Sequence, residues 1–159
     1  MQDEGETMQV QDGIFPVEPE DYARVVDVWE ASVRATHHFV AESDIEIFRP
    51  MVRGGLPHLQ LACMRDSEGT VAGFVAVGGD MVEMLFIHPD ARGQGVGRRL
   101  LRHAMEQLHA VKVDCNEQNE QALGFYQHMG FEVVGRDELD GTGKPYPILH
   151  MALTHKNDE

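Results

Sequence analysis

The sequence predicts a single mixed α/β domain built on a central sheet. Three observations carry this reading. The spacing of apolar residues changes from helical to strand-like near residue 59. A strand–helix–strand–helix–strand alternation follows residue 81. And 159 residues with 42% hydrophobic and 25% charged side chains make one ordinary globular domain.

Residues 1–13 and 154–159 are polar and read as flexible tails, leaving a domain over 14–153. Ile14 to Val17 is a short apolar strand. A helix over Asp21 to Ala35 follows Pro19 and the acids Glu18 and Glu20, with Val25, Val28, Trp29, Ser32 and Val33 at helical spacing. Ser43 is placed to cap a second helix through about Arg53, ended by Gly54, Gly55 and Pro57. Leu59 to Met64 and Val71 to Val77 are β-rich runs around the turn Asp66-Ser67-Glu68-Gly69. Met81 to His88 is a strand closed by Pro89. Gly95 to His109 is a helix with Val96, Leu100, Ala104 and Leu108 on one stripe. Val111 to Cys115 is a strand and Glu120 to Met129 a helix stopped by Gly130. Phe131 to Val134 and Ile148 to Leu153 complete the sheet.

Lys and Arg total 13 against 27 Asp and Glu, a formal charge of −14. Such a chain avoids nucleic acid and anionic membranes and attracts cationic partners. Cys63 and Cys115 make no disulfide framework, and no apolar run is long enough to span a bilayer, so the expected setting is the cytoplasm with both thiols reduced. No HExxH pair occurs and His103 and His109 are six apart, so no metal site is expected. Oligomeric state is open; nothing in the sequence specifies a homodimer.

Charge is unevenly distributed. Ala91 to Met105 holds no acid and four arginines, Arg92, Arg98, Arg99 and Arg102. Within it Arg92-Gly93-Gln94-Gly95-Val96-Gly97 lies between a strand and a helix start. Glycines there let backbone approach a ligand, and the amides of a helix N-terminus favour an anion, so the segment reads as a phosphate or pyrophosphate cradle. It is neither a P-loop, since Gly97 precedes Arg98 and not Lys, nor a GxGxxG turn, since the third glycine is missing.

These residues resemble a family. Arg92, Gly95 and Gly97 fit the Gln-or-Arg, x, x, Gly, x, Gly-or-Ala signature of the GNAT acetyltransferases. Asn119, Ala122, Phe125-Tyr126 and Gly130-Phe131 fit the family's second segment. The stretches Trp29 to His37, Val113 to Ala122 and Gly143 to Pro147 further resemble YjaB-type bacterial acetyltransferases. The resemblance covers Ile14 to Leu153. It implies a mostly antiparallel twisted sheet, splayed in the middle and flanked by about four helices. It also implies transfer of acetyl from acetyl-CoA to a primary amine, a small amine or a protein lysine.

By that resemblance the pyrophosphate of acetyl-CoA binds amides from Gly93 through Gln94, Gly95, Val96 and Gly97 to Arg98, beside Arg92. The pantetheine arm pairs with the strand backbone at Leu85, Phe86 and Ile87, an amide near Leu85 polarises the thioester, and Asn119 is a polar contact. Tyr126 is implied as general acid, a phenol of pKa ~10 facing a thiol of ~8.5. For the base there are two candidates. Strand alternation groups Glu83 with Leu85 and Ile87, opposite Met84 and Phe86, and a carboxylate among apolar neighbours has a raised pKa. His37 ends the first helix, as a base or as a cap of its carbonyls. Trp29, Ser32, Thr36 and His37 form a candidate acceptor wall, with Lys144 and Tyr146 facing the same pocket or merely forming a turn. Cys115 lacks a base at recognisable spacing, which favours direct attack in a ternary complex. The alternative function is a non-catalytic acyl-CoA sensor.

Overall fold

The computed structural model describes residues 7–154. Its strands are Phe15–Pro16 (β1), Gln60–Arg65 (β2), Val71–Gly78 (β3), Met81–Ile87 (β4), Lys112–Asn116 (β5), Phe131–Asp137 (β6) and Ile148–Leu153 (β7). Its helices are Tyr22–Thr36 (α1), Glu42–Gly55 (α2), Val96–Gln107 (α3) and Glu120–His128 (α4). One sheet runs in the order β1-β2-β3-β4-β5-β7-β6, antiparallel except for the parallel pair β4–β5. This is the splayed α/β architecture that the resemblance implied.

β3 is buried along almost its whole length because helices cover both faces of the sheet. Leu100, Leu101, Ala104, Tyr126 and Phe131 pack on one face around Val75 and Val77. Val25, Val28, Trp29 and Ile45 pack on the other around Phe74 and Cys63. The helical stripes read from the sequence supply these layers; Val25, Val28, Trp29, Ser32 and Val33 are all buried.

Element ends differ where tertiary contacts intervene. Ser43 does not cap α2. The helix starts at Glu42 after Ala41, whose amide donates to the Tyr146 hydroxyl, and that hydroxyl donates to Asp44 in the first turn. A neighbouring loop therefore supplies the cap. α2 also runs through Gly54 and Gly55 into a 3-10 turn at Leu56–His58. α3 stops where His109 takes φ 61°, with the Ala110 amide donating back to the Ala104 carbonyl. β6 extends past Val134 to Asp137 because β7 offers a partner that far, through a bulge near Val134.

The segment before β1 is not loose where it is described. Val10 bridges Asp66, and the Met8 and Gln11 amides donate to the Asp90 and Arg65 carbonyls at 2.8 and 2.9 Å. The tail expectations for 1–6 and 155–159 fall outside the described residues.

Candidate active site

β4 and β5 pair at only two positions, Met81 with Lys112 and Val82 with Val113. Beyond them the strands diverge, and the β4 edge facing β5 is left without a ladder partner. The gap widens into a groove of about 720 Å³. Its floor is Leu85, Phe86 and Ile87 of β4 with Val113 and Cys115 of β5. The end of α1 and the start of α4 border it, and the loop 92–98 closes it.

That loop has the geometry of an anion cradle. Gly93 and Gly95 have φ of 80° and 78°, a region costly for any residue with a Cβ. Gly95 caps α3 with no side-chain bond, and the first helical ladder bond runs from the Arg99 amide to the Gly95 carbonyl. The amides of Val96, Gly97 and Arg98 therefore have no intrahelical acceptor and point outward with the helix dipole behind them. Arg92, Arg98 and Arg99 line the same end. α3 reaches this close to the sheet because Gly73 of β3 has no side chain; a Cβ there would sit 2.8 Å from Val96 Cγ1. Gly73 is a positioning residue that the sequence reading missed. Its only local signal is a glycine inside a strand run.

The register of β3 on β4 steps from Ala76↔Met84 to Val77↔Val82, so Glu83 is the extra residue of a β-bulge. The bulge breaks the alternation at Glu83 and leaves it intact from Met84 to Ile87. Val82, Leu85 and Ile87 pack on the α3–α4 side, whereas Met84 and Phe86 pack on the α1–α2 side. Glu83 does not share the face of Leu85 and Ile87 in the way strict alternation requires. Glu83 borders both the groove and an adjoining hollow of about 320 Å³ lined by Trp29, Phe48, Met51, Val52, Leu59 and Met84. Partial burial, and secondarily the charge of Asp114, hold Glu83 above the usual carboxylate range. Asp114 lines the groove from β5 and also binds His150 at 2.8 Å, which in turn meets Asp137 at 2.7 Å.

Residues 34–133 match the model of the Acetyltransferase (GNAT) domain. The chain belongs to the GNAT acetyltransferase family. It is 41% identical over 133 residues, 84% of this chain and 90% of the other, to the peptidyl-lysine N-acetyltransferase YjaB of Escherichia coli K12. A 39% identical relative from Salmonella typhimurium carries the same name, over 83% of this chain and 91% of that protein. The solution structure of apo YjaB from Escherichia coli superposes with a TM-score of 0.82 at 39% identity, covering 91% of this chain and 98% of that one. The family uses acetyl-CoA as cosubstrate, and the open β4 edge leading to the outward amides of α3 fits a long donor ending in a pyrophosphate.

In this acetyltransferase Tyr126 lines the groove and is itself buried; burial, then the nearby Cys115, pushes its phenol well above the ordinary value. Burial likewise pushes the Cys115 thiol up to about 11, so it stays protonated and is a poor nucleophile. His37 lines the groove with Ser32 and Thr36, but its ring is fully engaged. Thr36 Oγ1 donates its hydrogen to the Ser32 carbonyl at 2.7 Å, so His37 Nδ1–H donates to Thr36 Oγ1, also at 2.7 Å. Nε2 is then the acceptor for Asn119 Nδ2–H at 3.3 Å, while Asn119 Oδ1 caps α4 by accepting from the Ala122 amide at 3.1 Å. Burial pushes His37 down to about 4, which fits this neutral, hydrogen-bonded ring.

The groove gathers most of the expected site but not all of it. Trp29 is a core residue, 5% exposed, and borders the side hollow rather than the groove. Lys144 and Tyr146 line neither space. Lys144 Nζ lies 3.1 Å from Asp44 Oδ1, and Tyr146 is buried against Phe39 and Phe48 with its hydroxyl on Asp44 and Ala41. Both tie the β6–β7 loop to the start of α2. Gln94 turns its side chain out of the groove toward Met8 and Val10.

Proposed function

We propose that the chain transfers acetyl from acetyl-CoA to a cationic primary amine, with a protein lysine as the favoured class, by direct attack in a ternary complex. The observation that carries this is the interrupted β4–β5 ladder, which leads to the α3 amides and is flanked by a buried phenol and a raised carboxyl. The pyrophosphate is held by the amides of Val96, Gly97 and Arg98 and by the arginines beside them. The unpaired β4 edge around Leu85 to Ile87 offers strand-like hydrogen bonds to the amide-containing arm, and an N–H there stabilises charge developing on the thioester oxygen.

Glu83 takes the proton of the incoming ammonium, directly or through water. An alkylamine of pKa ~10.4 arrives charged, and Glu83 with Asp114 offers it negative charge at the groove's edge. The adjoining hollow is apolar apart from Glu83 and suits the methylene stem of a lysine. Tyr126 returns a proton to the leaving thiolate. The burial that raises the phenol also raises the thiolate held beside it, so the two stay matched. A buried, neutral His37 is a weak base with its Nε2 already occupied; it positions Asn119. The name peptidyl-lysine N-acetyltransferase carried by the two relatives, together with the charge of −14, supports a lysyl acceptor. Two free buried cysteines fit a cytoplasmic setting.

The test is titration calorimetry with acetyl-CoA, followed by CoA-thiol release over a panel of amines and lysine peptides. We expect micromolar binding weakened by Arg98→Ala, and turnover lost about 10²-fold or more in Tyr126→Phe with binding kept. Binding without turnover on any acceptor would instead assign a sensor.

A further inference from the structure

We propose that residues 8–12 buttress the cofactor loop, and that the Gln94 side chain is the positioning residue joining the two. The inference rests on reading loop 92–98 as the pyrophosphate cradle. Gln94 sits between Gly93 and Gly95, both in the left-handed region. A loop with two such glycines has many conformations when free, and a ligand that must order it loses affinity. Here the order is supplied from outside. Gln94 Nε2 donates to the Met8 carbonyl at 2.6 Å, and Gln94 Oε1 accepts from the Val10 amide at 3.1 Å. The side-chain amide thus pairs with the segment as one strand residue pairs with another.

The segment is itself anchored. The Met8 amide donates to the Asp90 carbonyl at 2.8 Å, and the Ser67 amide donates to the Gln9 carbonyl at 2.7 Å. Gln11 closes on the β2–β3 turn through its amide to Arg65 and its Nε2 to the Asp66 carbonyl. Val10 packs against the core on the α3 side of the sheet. Asp12 reaches Arg99 at 3.3 Å. The residues 8–12 therefore join the β2–β3 turn to the cradle. They precede residue 34, where the family match begins.

The test keeps every loop residue intact. Val10→Pro deletes the amide that Gln94 Oε1 accepts from, and a chain lacking residues 1–12 removes the whole segment. Acetyl-CoA binding is measured by calorimetry, kcat and KM by thiol release, and exchange of the amides of residues 93–98 by mass spectrometry. We expect Kd and KM for acetyl-CoA to rise about tenfold, as loss of one or two hydrogen bonds predicts, with kcat at saturation kept within about twofold and loop exchange accelerated. Unchanged Kd in folded Val10→Pro overturns the buttress, and so does a kcat that falls with melting temperature while Kd holds. Arg98→Ala separates this from the underlying reading. If it binds acetyl-CoA as tightly as the parent, the cradle assignment itself fails. If it binds weakly while Val10→Pro binds normally, only the buttress fails. Should the shortened chain not fold, Val10→Pro decides.

Discussion

At the scale of the residue, Glu83 and His37 show how environment divides two candidate bases. Burial and Asp114 raise Glu83, so its proton-accepting form is present above that raised pKa and is lost as pH falls through it. The acid limb of kcat/KM should therefore lie above the ordinary carboxylate range. It should move to lower pH in Asp114→Asn and disappear in Glu83→Gln; a limb unmoved in Asp114→Asn excludes this pairing. His37 behaves in the opposite sense. Its folded pKa of about 4 lies below its ordinary 6.5, so the unfolded chain protonates first. Its stabilising contribution is present above pH 6.5 and is lost as pH falls toward 4. The full loss is of order 3 kcal/mol if the burial effect is expressed in full. Urea melts across this window should show a shallower pH slope for His37→Gln than for the parent, and equal slopes would refute the buried neutral ring.

At the scale of the element, the decisive contact is the N-terminus of α3 against β3. Gly73→Val adds a side chain whose Cβ meets Val96 Cγ1 at 2.8 Å and Ile87 Cδ1 at 3.1 Å, with the Phe86 carbonyl behind. The helix start or β4 must shift. We expect about 1–3 kcal/mol of destabilisation by thermal melting. Acetyl-CoA should also bind more weakly, because the outward amides move with the helix. A variant destabilised but with full affinity would show that the helix end is free to adjust. Helix α2 carries a related dependence. Its first turn is closed by Tyr146 and Lys144 through Asp44, so the β6–β7 loop and α2 hold each other in place.

At the scale of the whole molecule, charge is segregated. The chain carries −14, yet the cradle end of the groove presents Arg92, Arg98 and Arg99. The opposite sheet arm carries Asp114 and Asp137 around His150, whose ring they hold above its ordinary pKa. On the proposed function, phosphates and amines are drawn to different ends of this surface. Raising salt from about 0.05 to 0.5 M should increase KM for both acetyl-CoA and a lysine-rich peptide, and should barely change KM for a neutral-bodied small amine. A peptide KM insensitive to salt would remove the electrostatic case for a cationic acceptor. Among the described residues no helix is long and apolar enough to cross a membrane.

Much of this was legible in the amino-acid order alone. Helical stripes, the β2–β3 turn and the glycines before α3 are local patterns, and local backbone preference and periodicity act over a few residues. They predicted the element order, the glycine loop before α3 and Tyr126 on its helix. What tertiary structure decided is what depends on partners distant in sequence. The bulge at Glu83 arises from register against β3 and takes Glu83 out of the expected alternation, while Leu85 and Ile87 stay opposite Met84 and Phe86. The cap of α2 comes from Tyr146, 105 residues after Ala41. The role of Gly73 appears only when α3 lies on it, and that of Gln94 only when residues 8–12 return across the turn. Even His37, singled out from its helix position, changes meaning once Asn119, 82 residues away, occupies its free nitrogen. A sequence specifies which groups are present, but their protonation, facing and hydrogen-bond partners are set by burial and contact, and these exist only after the chain has folded.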